Sequence, residues 1–74
     1  GFTTVRYFIP EGVKKAELRV TNLEGRVIKT IALPTRGAGQ TTFDATTLGS
    51  GTYQYSLFLD GKPTATKQMV LTKN

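Results

Sequence analysis

LGSGTYQYSLFLDGK, residues 48–62, is the stretch on which the reading of the fold turns. Leu48 is a lone apolar residue in a polar loop, and Gly49, Ser50 and Gly51 allow a sharp bend. Tyr53, Tyr55, Leu57 and Leu59 then recur with period two, which places them on one face of a strand. Thr52, Gln54, Ser56 and Asp60 take the other face, with Phe58 as an apolar intruder. Asp60-Gly61 predicts a two-residue hairpin, because a type I′ turn needs positive φ at both central positions. The alternation is clean and punctuated at both ends, so this segment is expected to be a central strand packed into the core.

Working outward, the remaining chain divides into strands of the same kind. Thr3 to Ile9 alternates, with Val5, Tyr7 and Ile9 on one face, and Pro10 stops it. Lys15 to Thr21 places Ala16, Leu18 and Val20 inward against Glu17, Arg19 and Thr21 outward, the pattern of a half-buried antiparallel strand. Asn22-Leu23-Glu24-Gly25 reads as a turn: Asn opens such turns and Gly takes the left-handed end position. Arg26 to Leu33 is a third strand whose broken alternation at Val27-Ile28 predicts a bulge or a two-sided environment. Pro34 to Gly39 is expected to be a loop and Gln40 to Asp44 a short strand. Pro63 to Thr72 returns after the hairpin as the last strand, with Met69 and Leu71 inward and Val70 opposite. Six short strands separated by Gly and Pro turns predict an antiparallel sandwich or a small barrel.

The chain has 74 residues, enough for one small domain spanning residues 1–74. It has no cysteine, so stability must come from packing and the sheet ladder. Leu57→Ala is therefore expected to cost about 2–5 kcal/mol, comparable to the stability of a domain this small. Ten basic residues against five acidic give a net charge of +5. The basic residues are scattered from Arg6 to Lys73, a pattern of solubility rather than of a nucleic-acid site. No apolar run reaches the ~18–20 residues of a membrane span, so no direct insertion into a membrane is expected. Gly1-Phe2-Thr3 does not open a signal peptide. With no initiating Met, and with Lys73-Asn74 resembling a natural stop, the chain reads as the C-terminal piece of a longer protein.

Catalytic chemistry is poorly supplied. His and Cys are absent, which removes the usual general base, the commonest metal ligand and the best thiol nucleophile. Glu11, Glu17, Glu24, Asp44 and Asp60 fall in different turns and strands, and neither Ser50 nor Ser56 has a base beside it. Gly37-Ala38-Gly39 lacks the Lys-Ser/Thr and the helix of a phosphate loop. No catalytic, cofactor-binding or metal-ligating residue is assigned, and an enzyme is not expected. Phe8 and Phe58 stand on otherwise polar faces, either covering the rim of the sandwich or offering a patch to a partner. Tyr53 and Tyr55 read as core rather than as a sugar-stacking platform.

An ordered set of motifs completes the reading. Thr3-Thr4-Val5-Arg6-Tyr7-Phe8-Ile9-Pro10 fits T-x-V/I-x-Y-x-I/L-P. Leu18 to Ile28 fits L-x-V-x-N/D-x-x-G-x-x-V/I, with the glycine at Gly25. Leu48, Gly51 and Tyr53 fit L-x-x-G-x-Y, and Lys67, Met69, Val70 and Leu71 fit K-x-M-V-L near the end. In this order the motifs resemble the type A C-terminal sorting domain of the type IX secretion system of Bacteroidota. A related immunoglobulin-like module of hook-capping and surface proteins shares the second and third motifs. It generally carries Trp-Asp-Gly where this chain has Phe43-Asp44-Ala45, and a longer loop before G-x-Y.

The resemblance implies a small antiparallel, immunoglobulin-like β-sandwich of about six to seven strands, and a domain that is substrate, not catalyst. It would carry a cargo, joined to its N-terminal side, from the periplasm through an outer-membrane translocon to the cell surface, and a surface sortase would then remove it. The partners implied are the translocon or shuttle proteins and the sortase. The resemblance points to Lys67, Gln68, Met69, Val70 and Leu71 as the recognition segment. Tyr7, Pro10, Gly25, Leu48, Gly51, Tyr53, Asp60 and Gly61 are the structural motif positions. A last strand at a sheet edge fits such a role, because its unpaired main chain and Lys67 and Lys73 at its border are open to a receptor. The other readings are a structural or adhesion module of a surface protein and a carbohydrate-binding module.

Overall fold

A computed structural model describes residues 2–72. It is all-β, with 68% of residues in strands. The strands are β1 (Phe2–Ile9), β2 (Ala16–Asn22), β3 (Val27–Ala32), β4 (Gly37–Asp44), β5 (Gly51–Leu59) and β6 (Lys62–Leu71). They form two antiparallel sheets, β1-β4 and β3-β2-β5-β6. The expected sandwich is present, with six strands. Lys73, expected beside Lys67 at the border of the last strand, lies outside the described residues.

The segment 48–62 forms as read. β5 is an interior strand, between β2 and β6. Leu59 pairs with Lys62 across Asp60-Gly61, and φ is 51° at Asp60 and 82° at Gly61. Asp has a short polar side chain that tolerates this region, and Gly has no Cβ to clash. The bulge expected in β3 falls between its pairings of Thr21 with Val27 and Val20 with Lys29, which sets Ile28 out of register. One boundary differs. Pro34 to Gly39 is not all loop, because β4 begins at Gly37 and pairs it with Ile9. Two glycines within four residues hide a strand whose register is supplied by β1 rather than by its own side chains.

The buried centre is not where the alternation of β5 suggests. Ile9, Leu18 and Val20 are the fully buried large side chains, with Val5, Leu33, Phe43, Ala45 and Leu48 around them. Tyr53, Tyr55, Leu57 and Leu59 pack on this core but stay half-buried. The cause is geometric. Strands sit about 4.8 Å apart in a sheet, so two strands cannot roof four. β1 and β4 leave the inner face of β6 open at Ala65 and Lys67.

Candidate recognition surface

Among the described residues β6 is an edge strand, hydrogen-bonded to β5 alone. Its pairing places Lys67 opposite Tyr55, Met69 opposite Tyr53 and Leu71 opposite Gly51. Lys67, Met69 and Leu71 therefore share the inner face, and Gln68 and Val70 point outward. Met69 and Leu71 are half-buried against the core. Val70 is 65% exposed. Lys67 was expected at a border; it instead takes an inward position in the alternation and stays exposed because no strand lies over it. The five residues from Lys67 to Leu71 thus combine an open main-chain edge, an exposed outward valine and a cation beside an unroofed apolar face.

The other motif positions shape the turns and loops that join the strands. The Tyr53 hydroxyl donates to the Gly49 carbonyl at 2.8 Å, which pins the glycine-rich loop. Leu48 closes that loop with a hydrogen bond from its amide to the Ala45 carbonyl and buries its side chain. Gly51, with φ 154°, then opens β5 opposite Leu71. The Pro10 carbonyl accepts from the Val13 amide in the β1–β2 turn. Asn22 opens its turn as expected: its side-chain carbonyl accepts from the amides of Glu24 and Arg26, with Gly25 at φ 85°. Tyr7 lies across Gly39 so closely that a Cβ there would stand 2.8 Å from its hydroxyl oxygen.

At the opposite end of the sandwich, one Asp60 carboxylate oxygen accepts from the amides of Lys14 and Lys15 at 3.0 and 2.8 Å. The Asp60 amide donates back to the Lys15 carbonyl. The β5–β6 turn is thereby tied to the β1–β2 loop. Arg36 ties the third loop to the same place. Its guanidinium donates to the carbonyls of Val13, Leu33 and Lys14. The sequence alone gave no sign of this role, because an arginine between Thr and Gly carries no local pattern.

Phe58 also gains an explanation. It points outward opposite Glu17, and the Arg19 guanidinium lies 3.9 Å from its ring centroid. Arg19 is in turn paired with Glu17, which Lys15 also contacts. The Arg19 hydrogen bond holds the Glu17 carboxyl below its usual range. Phe58 is thus covered within its own sheet, whereas Phe8, on the outer face of β1, is 63% exposed. The two belong to opposite outer faces and do not form one patch. The cluster was legible only with the register in hand, since Glu17, Arg19 and Phe58 meet across β2 and β5.

Among the described residues no group of His, Cys, Asp and Glu is arranged to hold a metal ion, and no helix is long and apolar enough to cross a membrane. The described surface offers an open strand edge, a groove beside it and two loop clusters that brace them.

The chain was compared with known proteins. No curated protein and no solved structure matches it significantly. A family model described as the secretion system C-terminal sorting domain matches residues 2–72. The chain therefore belongs to the family of type IX secretion C-terminal sorting domains. That family is not a catalytic one. Membership implies a cargo chain that carries the domain, contact with the secretion machinery, and export of the cargo to the cell surface or beyond.

Proposed function

We propose that, as a member of this family, the domain is the delivery address of a larger cargo protein, recognised by the outer-membrane translocon through β6 and later removed by a surface sortase. It sits at the C-terminal end of that cargo and is the substrate of the transfer. The family match over residues 2–72 is the observation that carries this reading. The position of Lys67 to Leu71 on a free edge supports the recognition step, because an unpaired strand binds a partner through its main chain while alternate side chains select it. Phe2 pairs with Asp44 and Leu71 pairs with Gly51, the two residues that flank the Ala45–Ser50 loop. Both ends of the described chain thus lie at one end of the sandwich, so a cargo and the recognition strand meet there.

The test is a fusion of residues 1–74 behind a signal peptide and a fluorescent reporter, in a host with this secretion route. Reporter at the cell surface or in the medium is the expected result, and reporter held in the periplasm would sink the proposal. A carbohydrate platform is not favoured by Tyr53 and Tyr55, which pack on the core instead of presenting a flat exposed face.

A further inference from the structure

The unroofed part of the sandwich forms a groove beside the proposed recognition strand. It has a volume of about 410 Å³ and runs between β1, from Thr4 to Phe8, and the inner faces of β5 and β6. This is within the ~300–1,000 Å³ typical of ligand sites. Leu18, Tyr55 and Leu57 make an apolar floor, with Arg6 on the β1 side and Lys67 on the β6 side.

The wall of the groove says what kind of molecule it fits. Among the described residues β1 pairs with β4 alone, and no other described strand lies beside its second edge. A row of unpaired N–H and C=O groups is a template for another strand. Edges are usually blunted by Pro, a bulge or a twist. β6 has two of these, Pro63 and a register shift after Leu57. β1 has neither: its register with β4 is unbroken from Phe2 to Ile9. A strand added to β1 would lie over β6 and complete a three-over-four sandwich. It would also cover part of the apolar face that the present fold leaves wet.

Charge narrows the occupant. The charged residues along the groove are Lys67, on the inner face of β6, and Arg6, whose side chain shares the outer face of β1 with Phe8, with no carboxylate among them. A strand laid over Lys67 would desolvate its ammonium, which then requires a carboxylate partner. We propose that the groove binds an extended, acidic segment of a partner polypeptide by strand addition to β1. Inward side chains of the segment are apolar over Tyr55 and Leu57, with one inward carboxylate over Lys67, and its outward carboxylates flank Arg6 on the outer face of β1. This does not rest on the export role, because the readout is binding to the chain itself.

The test titrates isotope-labelled 74-residue chain, followed by amide NMR, with octapeptides that alternate Val with Glu, Gln or Lys and carry that same residue in place of one Val, so that both faces of the strand present it. The Glu peptide is expected to shift the amides of Thr4 to Phe8 and of Lys67 saturably. The Gln peptide should bind about tenfold more weakly, and the Lys peptide should not bind. Methylating alternate backbone nitrogens of the Glu peptide should abolish binding, as strand addition requires free amides. The doubly reversed variant R6E/K67E, with its dispersed spectrum as the check of folding, should prefer the Lys peptide. Equal binding of the Glu and Gln peptides would overturn the acidic occupant. Absence of saturable shifts on β1, or their confinement to β3, would overturn the site. A concentration-dependent dimer with shifts along β1 would overturn it too, by showing a second copy in the groove.

Discussion

Asp60 does two jobs at once. It sits at φ 51° in the hairpin turn, and its carboxylate accepts the amides of Lys14 and Lys15. Asp60→Ala loses both, leaving two amides without their partner and a Cβ-bearing residue without local compensation. A loss of about 1–3 kcal/mol is expected. Asp60→Asn keeps the tolerance of positive φ and one carbonyl acceptor, and should lose less. The measurement is the urea midpoint at unchanged m-value; equal stabilities for wild type and Asp60→Ala would refute the bracing role. Leu57 and Leu18 form a second contrast. The even alternation of β5 made Leu57→Ala look like a loss of about 2–5 kcal/mol. In the fold, Leu57 borders the open groove while Leu18 is 1% exposed. The large loss, about 2–5 kcal/mol, belongs to Leu18→Ala, and Leu57→Ala should fall below it because water already reaches part of its surface. Denaturation of the two variants side by side decides the order.

At the scale of elements, alternation and turn chemistry made most of the sheet legible. β1, β2, β5 and β6 emerged within a residue or so of their ends, because each has a period of two and a Pro, Gly or Asn at its border. β4 was the exception. Its first residues are Gly37, Ala38 and Gly39, whose single methyl group cannot show an alternation, and pairing with β1 makes them a strand. The bulge in β3 was legible as Val27-Ile28. What lay beyond reach was the assignment of strands to sheets, and with it the groove, the Phe58–Arg19–Glu17 cluster and the Arg36 clamp. Each is a meeting of residues from distant segments, and no local pattern encodes such a meeting. The recognition segment was read from motif resemblance alone, and the fold adds that it occupies a free edge. Deleting residues 67–74 is accordingly expected to abolish export of a reporter fusion. β6 pairs only with β5, and the fully buried side chains lie on β1 and β2, so the truncated domain is expected to keep a β-rich circular dichroism spectrum. Export by a folded truncated domain would move recognition to another surface, such as the Asn22–Gly25 turn.

For the whole molecule, a two-over-four sandwich of this size has little surplus core, so its electrostatics weigh more than usual in its pH range. Two carboxyls titrate below their usual values. Glu17 is held down first by the hydrogen bond from Arg19 and also by the charges of Arg19 and Lys15. Asp44 is held down first by the Thr46 side chain and then by the Thr46 amide. A carboxyl whose folded value is depressed binds its proton more readily in the unfolded chain. Its stabilising contribution is therefore complete above the unfolded values, 4.5 for Glu17 and 3.8 for Asp44. As the pH falls through that range and on through the lower folded values, the contribution is lost. The domain should be insensitive to pH between about 5 and 8 and lose stability steadily below about 4.5. Glu17→Gln cannot ionise, so it should be less stable than wild type at neutral pH and show a shallower loss on acidification. It also frees Arg19 from its anchor over Phe58. Thermal denaturation from pH 3 to 7 tests this directly. Parallel curves for wild type and Glu17→Gln would mean that the Glu17–Arg19–Phe58 cluster contributes nothing to acid sensitivity, and would leave Asp44 and its hydrogen bonds to Thr46 as the source.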